Sequence, residues 1–279
     1  MHLLIDGKNI LYRALFAAEN DSEFTNKKSD KFAAISRFMH YYYDKVRPKH
    51  THVFWDAPKK DLWRRSIHAL YKDGRNPGAR GIDIESELVK YQEIASEVWS
   101  AMGIRQYYRA SMEADDLIFA FCHHIRSTPI VIVSSDSDLV QIMYYHNNVD
   151  ILSPQTKKFV DKPTLDPVSI KCLQGDKTDN IKGYDGIGKV KSKRLVESPD
   201  KLFEFLQANG DNIYRRNRRI IDLSLCPFTL DNILYIMKIL STEKPQFDSD
   251  KLKELLHEKY KMRGMVVEYP KTILPFSWR

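Results

Sequence analysis

The 279-residue chain carries 44 Lys and Arg against 37 Asp and Glu, a formal charge of +7, which suits a polyanionic partner. With 43% hydrophobic residues and a mean hydropathy of −0.47, it has the composition of a folded domain in water, which excludes disorder as its main state. No run approaches the ~20 apolar residues that cross a bilayer, Asp6 interrupts the first apolar stretch too early for a signal peptide, and three separated cysteines, Cys122, Cys172 and Cys226, exclude a disulfide framework or a zinc knuckle. A cytosolic protein with no membrane partner is expected.

Short β-branched runs predict strands at Leu3–Ile5, His52–Trp55, Ile104–Tyr107, Ile130–Ser134 and Val149–Leu152. Apolar residues near helical spacing predict helices at Ile10–Ala18, Phe32–Asp44, Glu85–Met102 and Ala114–Ile125. This alternation predicts an α/β fold over residues 1–165, a mostly parallel central sheet with helices on both faces. Beyond Pro163 the strand signals fade, and residues 166–240 read as a helical region broken by turns. Residues 241–279 form an extension without a readable motif.

The acids fall where such a sheet would use them. Asp6 follows LLI, Asp56 follows HVFW, and Asp136 and Asp138 follow IVIVSS, while Glu113, Asp115 and Asp116 open the helix after the third strand. Taken singly, each is explained as a helix-start residue that caps amides and meets the positive dipole end. Together they need more, because parallel strands bring their carboxyl ends to one ligand-binding edge and gathered carboxylates repel unless a cation compensates them. Oxygen-only ligands suit Mg²⁺ or Mn²⁺, and no His/Cys spacing competes for zinc. Asp176 and Asp179, at i, i+3 spacing in LQGDKTDNIKG, add a pair at the junction with the helical region.

Residues Gly183 to Val190 nearly match the phosphate loop G-x-x-x-x-G-K-[ST], but Val190 lacks the required hydroxyl and no predicted strand feeds the loop. They read better as a helix–hairpin–helix-type turn. Gly186 and Gly188 let the backbone approach a phosphate, and Lys189, Lys191, Lys193 and Arg194 add charge on the following helix. Such an element grips a duplex backbone without reading its sequence. Arg215, Arg216, Arg218 and Arg219 make a second basic cluster, of the kind usually found on a solvated helix face.

Between Asp56 and Glu113, residues 57–84 are basic. Arg64, His68 and Lys72 recur at i, i+4, i+8 opposite Trp63, Ile67, Leu70 and Tyr71, which predicts an amphipathic helix with one basic side. Arg64 is then expected to face DNA, Lys72 and Arg75 to hold a phosphodiester, and Tyr71 either to stack on a base or to pack in the core.

The motifs LLIDGKN, VFWDAP, YKDGR, EADDL, SSDSDL, GDKTDNI and GIGKVKSKRL, in this order and spacing, resemble the 5′ nuclease family of flap endonucleases and 5′→3′ exonucleases, its small single-function bacteriophage members in particular. The resemblance covers about Met1 to Pro199. It implies a PIN-like domain in which Asp6, Asp56, Glu113, Asp115 and Asp116 gather one Mg²⁺ and Asp136, Asp138, Asp176 and Asp179 a second, with Mn²⁺ as a substitute. Lys72 and Arg75 would steer the scissile phosphate, Tyr71 would stand on one side of an arch over the single-stranded 5′ end, and the Gly186–Gly188 turn would bind duplex and hold K⁺ through backbone carbonyls.

The implied activity is two-metal hydrolysis of phosphodiester bonds at 5′ ends, nicks or flaps of duplex DNA, RNA primers included, during replication. A monomer is expected, with a polymerase or a single-strand-binding protein as candidate partners. A single-strand RNase on a related acidic domain and a non-catalytic DNA junction binder are the alternatives. The paired Asp176 and Asp179 argue against the first, and the repulsion among nine carboxylates argues against the second. Setting those nine aside leaves 28 acids against 44 bases, so the small net charge conceals an acidic pocket and a strongly basic remainder.

Overall fold

The computed structural model describes residues 1–20, 35, 39–73, 84–242 and 245–261. Arg75, with the rest of the basic segment from 74 to 83, lies outside the described residues.

Five parallel strands, β1 (His2–Asp6), β2 (His50–Phe54), β3 (Arg105–Tyr107), β4 (Ile130–Val133) and β5 (Val149–Leu152), form one sheet in the order β3-β2-β1-β4-β5. β4 and residues Leu3–Ile5 of β1 are unbroken apolar runs because a central parallel strand is covered on both faces. Alternation of side chains across the pleat divides them. Leu3, Ile5, Val131 and Val133 enter a core with α1 (Gly7–Asn20), the helical residues 39–46 (α2) and α3 (Ile84–Ala101). Leu4, Ile130 and Ile132 enter the opposite core with α4 (Ala114–His124) and α5 (Val140–Tyr145).

From β1 the chain builds β2 and β3 outward, then crosses back so that β4 pairs with the other side of β1. The carboxyl ends of β1 and β4 therefore flank the point where the connections diverge, which is where open α/β sheets bind ligands. Gly7 serves this geometry. A Cβ there would stand 2.5 Å from the Trp55 ring, so only glycine lets α1 start directly behind Asp6.

The basic segment after β2 is not the amphipathic helix its spacing predicts. It folds as two short 3-10 turns, Lys59–Asp61 and Trp63–Ser66, separated by an extended Leu62. Its local backbone bonds close only short turns, and two amides bond to remote chain: the Trp63 amide donates to Ser111 O at 3.1 Å and the Lys72 amide to Asp179 O at 3.0 Å. Arg64, His68 and Lys72 form no continuous basic stripe, since Arg64 and Lys72 meet at Glu113 while His68 bonds to Asn180 O.

Next come α6 (Pro167–Gln174), a two-stranded antiparallel pair β6 (Gly175–Asp176) and β7 (Ile181–Lys182), then α7 (Lys189–Val196), α8 (Pro199–Asn209) and α9 (Asn212–Ile221). Asp166 and Ser198 cap α6 and α8 with proline in the first turn, the usual helix-start chemistry. Val168, Cys172, Leu173, Ile181, Tyr214 and Ile220 make a third core, which also receives Ala57, Leu62 and Tyr71 from the segment after β2. Helix α10 (Thr229–Ser241) returns to the sheet layers and packs on α4 through Ile236. The chain then lays Leu252, Leu255 and Leu256 against the α3 face of the sheet. Among the described residues no helix is long and apolar enough to cross a membrane.

Candidate active site

Asp6 is the last residue of β1 and nearly buried. Its Oδ1 accepts the Asn9 amide at 3.1 Å and its Oδ2 the Ser134 hydroxyl at 3.0 Å, so β4 holds a carboxylate that β1 delivers. Burial, then the charges of Asp56 and Asp136, push its pKa up to about 7. Asp56 lies two residues beyond β2 and accepts the Ala114 amide at 2.8 Å, at the amino end of α4 where a carboxylate meets the helix dipole. Asp115, on the first turn of α4, has its pKa raised by burial and then by Asp136, Asp6 and Glu113. Four carboxylates from four parts of the chain thus feel one another at the sheet edge.

Asp136 starts the turn after β4 and accepts the Asp138 amide at 2.9 Å. Asp138, Asp176 and Asp179 present carboxylate oxygens within 4.8 Å of one another. Asp138 and Asp176 are half-buried and Asp179 is buried. The Lys171 ammonium, from α6, is ion-paired to Asp138 and lies 2.6 Å from Asp176 Oδ2. Burial pushes the Asp138 pKa up to about 6 against the pull of Lys171, whereas at Asp176 burial is outweighed by Lys171 together with the Thr178 and Asp179 amides and the pKa falls.

Glu113, Arg64 and Asp116 form a buried ionic group. Arg64 Nη1 stands 2.6 Å from Glu113 Oε2 and 2.9 Å from Asp116 Oδ2, and Nη2 stands 2.8 Å from Asp116 Oδ1. Asp116 Oδ2 also accepts from Trp63 Nε1 and from the Glu113 amide, both at 3.0 Å. The Lys72 ammonium pairs with Glu113, and the Tyr71 hydroxyl donates to Glu113 Oε2 at 3.0 Å. Burial alone would raise the Glu113 pKa, but Lys72 and Arg64 hold it at about 2.

Two sequence expectations change here, and a third, left open between two outcomes, is decided. Arg64 is not on a DNA-facing surface: it is 2% exposed and its guanidinium is fully engaged. Asp116 is not a free metal ligand, since it is 1% exposed, its Oδ1 is paired with Arg64 and its Oδ2 accepts from Arg64, Trp63 and the Glu113 amide. Tyr71 does not offer its ring to a base, because the ring lies in the third core and its hydroxyl is spent on Glu113. Each outcome depends on partners 42 to 53 positions away in sequence, and for Arg64 also on the Ile220 carbonyl 156 positions away.

The structure does bring Asp6, Asp56, Asp115, Asp136, Asp138, Asp176 and Asp179 to one end of the sheet, with Glu113 and Lys72 beside them. Gly186 and Gly188 stand apart, in the turn before α7. Gly186 has φ +73° and neither glycine has any atom within 4 Å of a built Cβ, so the turn is open to a ligand. Lys189, Lys191, Lys193 and Arg194 are exposed on α7 while Ser192 turns inward. Lys171 is not legible as a site residue from sequence, since a lysine in the last turn of a helix ordinarily serves the dipole.

The site is acidic, oxygen-lined and at a topological switch point, and comparisons with known proteins agree with that chemistry. A family model described as "5′-3′ exonuclease, N-terminal resolvase-like domain" matches residues 1–169. DNA polymerase I of Streptococcus pneumoniae is 32% identical over 211 residues, 70% of this chain and 23% of that protein; the chain spans about a quarter of the polymerase relatives it matches. A 5′-3′ exonuclease of Halalkalibacterium halodurans is 26% identical over 242 residues, 78% of each chain. Among solved structures, the T5 D15 protein co-crystallised with metal ions shares the fold, with a TM-score of 0.66 at 19% identity over 92% of this chain and 98% of that one. With more than half of its length matched by the family model, this chain belongs to the 5′-3′ exonuclease family of 5′ nucleases.

Proposed function

We propose that the protein is a Mg²⁺-dependent, structure-specific 5′ nuclease that hydrolyses phosphodiester bonds at 5′ ends, nicks or flaps of duplex DNA, RNA primers included. The observation that carries this is the meeting of Asp138 with Asp176 and Asp179. One acid comes from the sheet edge and two from the helical region, beside a second group of carboxylates around Asp6. Hard oxygen donors in this number fit Mg²⁺, with Mn²⁺ as a substitute. The raised pKa values of Asp6, Asp115 and Asp138, caused first by burial and then by neighbouring carboxylates, support a site that a cation would complete. Asp6, Asp56 and Asp115 would hold one ion with Glu113 alongside, and Asp138, Asp176 and Asp179 the other; Asp136, expected with the second set, acts on Asp6 and Asp115 as well as on Asp138 and so would stand between the two. Two such ions, when bound, supply an activated water and stabilise the leaving oxygen.

The chain's own groups do the rest. Lys72, half-buried and paired with Glu113, places an ammonium beside the acids, where it can donate to a non-bridging phosphate oxygen. Arg75 belongs to the same YK..R motif and is proposed as its companion. The exposed bases of α7 and the open Gly186–Gly188 turn would hold the duplex by its backbone, with K⁺ on the turn's carbonyls. We read the protein as a monomer. The occurrence of related sequence within DNA polymerase I supports a polymerase as a functional partner.

Incubation with a 5′-labelled flap, a nicked duplex and single-stranded RNA, with Mg²⁺ or EDTA, tests the proposal. Mg²⁺-dependent cleavage of flap or nick is expected. Intact DNA overturns it, and cleavage of RNA alone would favour a single-strand RNase. In the same assay Lys72→Ala should lower turnover by about 100-fold, the effect of losing one transition-state donor; a near-normal rate would remove Lys72 from the site.

Metal binding should also depend on pH in a defined sense. The folded-state pKa values of Asp6 and Asp138, about 7 and about 6, lie above the ordinary carboxylate value of about 4. In the metal-free protein their contribution to stability is therefore present below about pH 4 and lost as pH rises through 6 and 7. A divalent cation relieves that loss and binds best to ionised carboxylates. Mg²⁺ should raise Tm, relative to EDTA, by more at about pH 8 than at about pH 5.5. An equal rise at both, read by scanning fluorimetry, would take Asp6 and Asp138 out of the metal set.

A further inference from the structure

Two buried side chains join the acidic site to the helical region, and they do so at consecutive carbonyls. Arg64 donates through Nε to Ile220 O at 2.8 Å while its guanidinium holds Glu113 and Asp116. Gln141, 2% exposed, donates through Nε2 to Asp138 O at 2.9 Å and to Ile221 O at 3.0 Å. Its Oε1 accepts the Leu223 amide at 2.8 Å. Ile220 and Ile221 are the last residues of α9, the helix that carries Arg215, Arg216, Arg218 and Arg219. The final carbonyls of a helix have no partner within it, so α9 is held at its end by groups that also hold the two loops bearing the acids.

We propose that Gln141 is a positioning residue that sets the register of the helical region against the Asp138 half of the site, as Arg64 does against the Glu113 half. The inference rests on the 5′ nuclease reading: a duplex gripped by the helical region delivers its scissile phosphate correctly only if that region keeps a fixed distance from the acids. Misplacement by about 1 Å is enough to lower a rate about 100-fold. The residue type fits the task. Two donors and an acceptor on one rigid amide satisfy two carbonyls and one N–H; a carboxylate offers no donor, and an apolar side chain leaves three buried groups unpaired.

Asn148 supplies a control of the same chemistry away from the site. Its Nδ2 joins the carbonyls of Ile125 and Thr128 at 3.0 and 2.8 Å, at the amino end of β4. Gln141→Ala and Asn148→Ala should lose comparable thermal stability. On a 5′-flap duplex with Mg²⁺, Gln141→Ala should lower kcat by about 10- to 100-fold with KM within about threefold of wild type, and Asn148→Ala should leave kcat within about twofold. Gln141→Glu, which keeps the size and the acceptor for Leu223, gives the same kcat loss if Gln141→Ala proves too unstable to assay. A normal kcat in the Gln141 variants, or an equal loss in Asn148→Ala, overturns the register role while leaving the nuclease reading intact. A wild-type protein that leaves the flap uncut removes both.

Discussion

Replacing Arg64 by methionine should lower the folding free energy by about 3–5 kcal/mol, the cost of stranding buried charge when one partner of a buried ion pair is removed. Arg64→Met leaves the Asp116 carboxylate with only the Trp63 indole and the Glu113 amide, and Glu113 with Lys72 and Tyr71. It also strips the Ile220 carbonyl of its donor. Since whole domains are stable by only about 5–15 kcal/mol, the variant should approach unfolding near physiological temperature. Urea denaturation with EDTA present measures the loss. Arg64→Met/Asp116→Leu should recover part of it, because removing both members of a buried pair costs far less than removing one. A single-variant loss below about 1 kcal/mol would mean that the two acids turn to solvent or take up protons, and that Arg64 does not organise this corner.

The largest effect on activity is expected at Asp179. Its carboxylate joins Asp138 and Asp176 within 4.8 Å, and its backbone carbonyl accepts the Lys72 amide, so it stands where the helical region meets both the acids and the basic segment. Asp179→Asn keeps the shape and removes the charge. Cleavage of a flap substrate should fall by at least about 1000-fold, the upper range for losing one electrostatic partner of a transition state. Duplex binding in EDTA, followed by fluorescence anisotropy, should stay within about threefold of wild type, because the phosphate grip is assigned to α7 and its turn, and phosphate contacts dominate affinity. Loss of duplex binding together with cleavage would show that Asp179 shapes the helical region rather than the chemistry. Asp138→Asn is expected to behave alike.

These two residues mark opposite ends of what the sequence discloses. Asp179 sits in a short motif, and Asp6, Asp56, Asp136 and Asp138 each follow an apolar run closely. A strand signal is local, successive parallel strands share one edge, and an acid just beyond such a run must therefore lie there. Arg64 had a local pattern too, recurring with His68 and Lys72 at helical spacing, and the pattern misled. The Trp63 and Lys72 amides bond to Ser111 and Asp179 instead of to their own turn, so tertiary hydrogen bonds interrupt the helix at both ends and the three basic residues form no solvent-facing stripe. Arg64 went to the buried acids, His68 to Asn180 O at 2.8 Å and Lys72 to Glu113.

Asp115 and Asp116 sharpen the contrast. They are adjacent in sequence and alike in chemistry, yet one joins the crowded carboxylates and the other is consumed by Arg64, Trp63 and the cap of α4. Neighbours on a helix point about 100° apart, and what lies in each direction is set by remote chain. Lys171 among the acids and Gln141 at the end of α9 are known only from the fold for the same reason.

The sequence by itself determined the strands, the edge to which the acids come and the oxygen-only chemistry of the pocket, because these follow from local periodicity and residue type. The tertiary structure alone decided which acids stay available, which cations hold the others in place, and how the helical region is registered on the sheet. Those outcomes depend on burial and on pairing between residues some 30 to 156 positions apart, and no local pattern encodes which distant group will fill a hydrogen-bonding position.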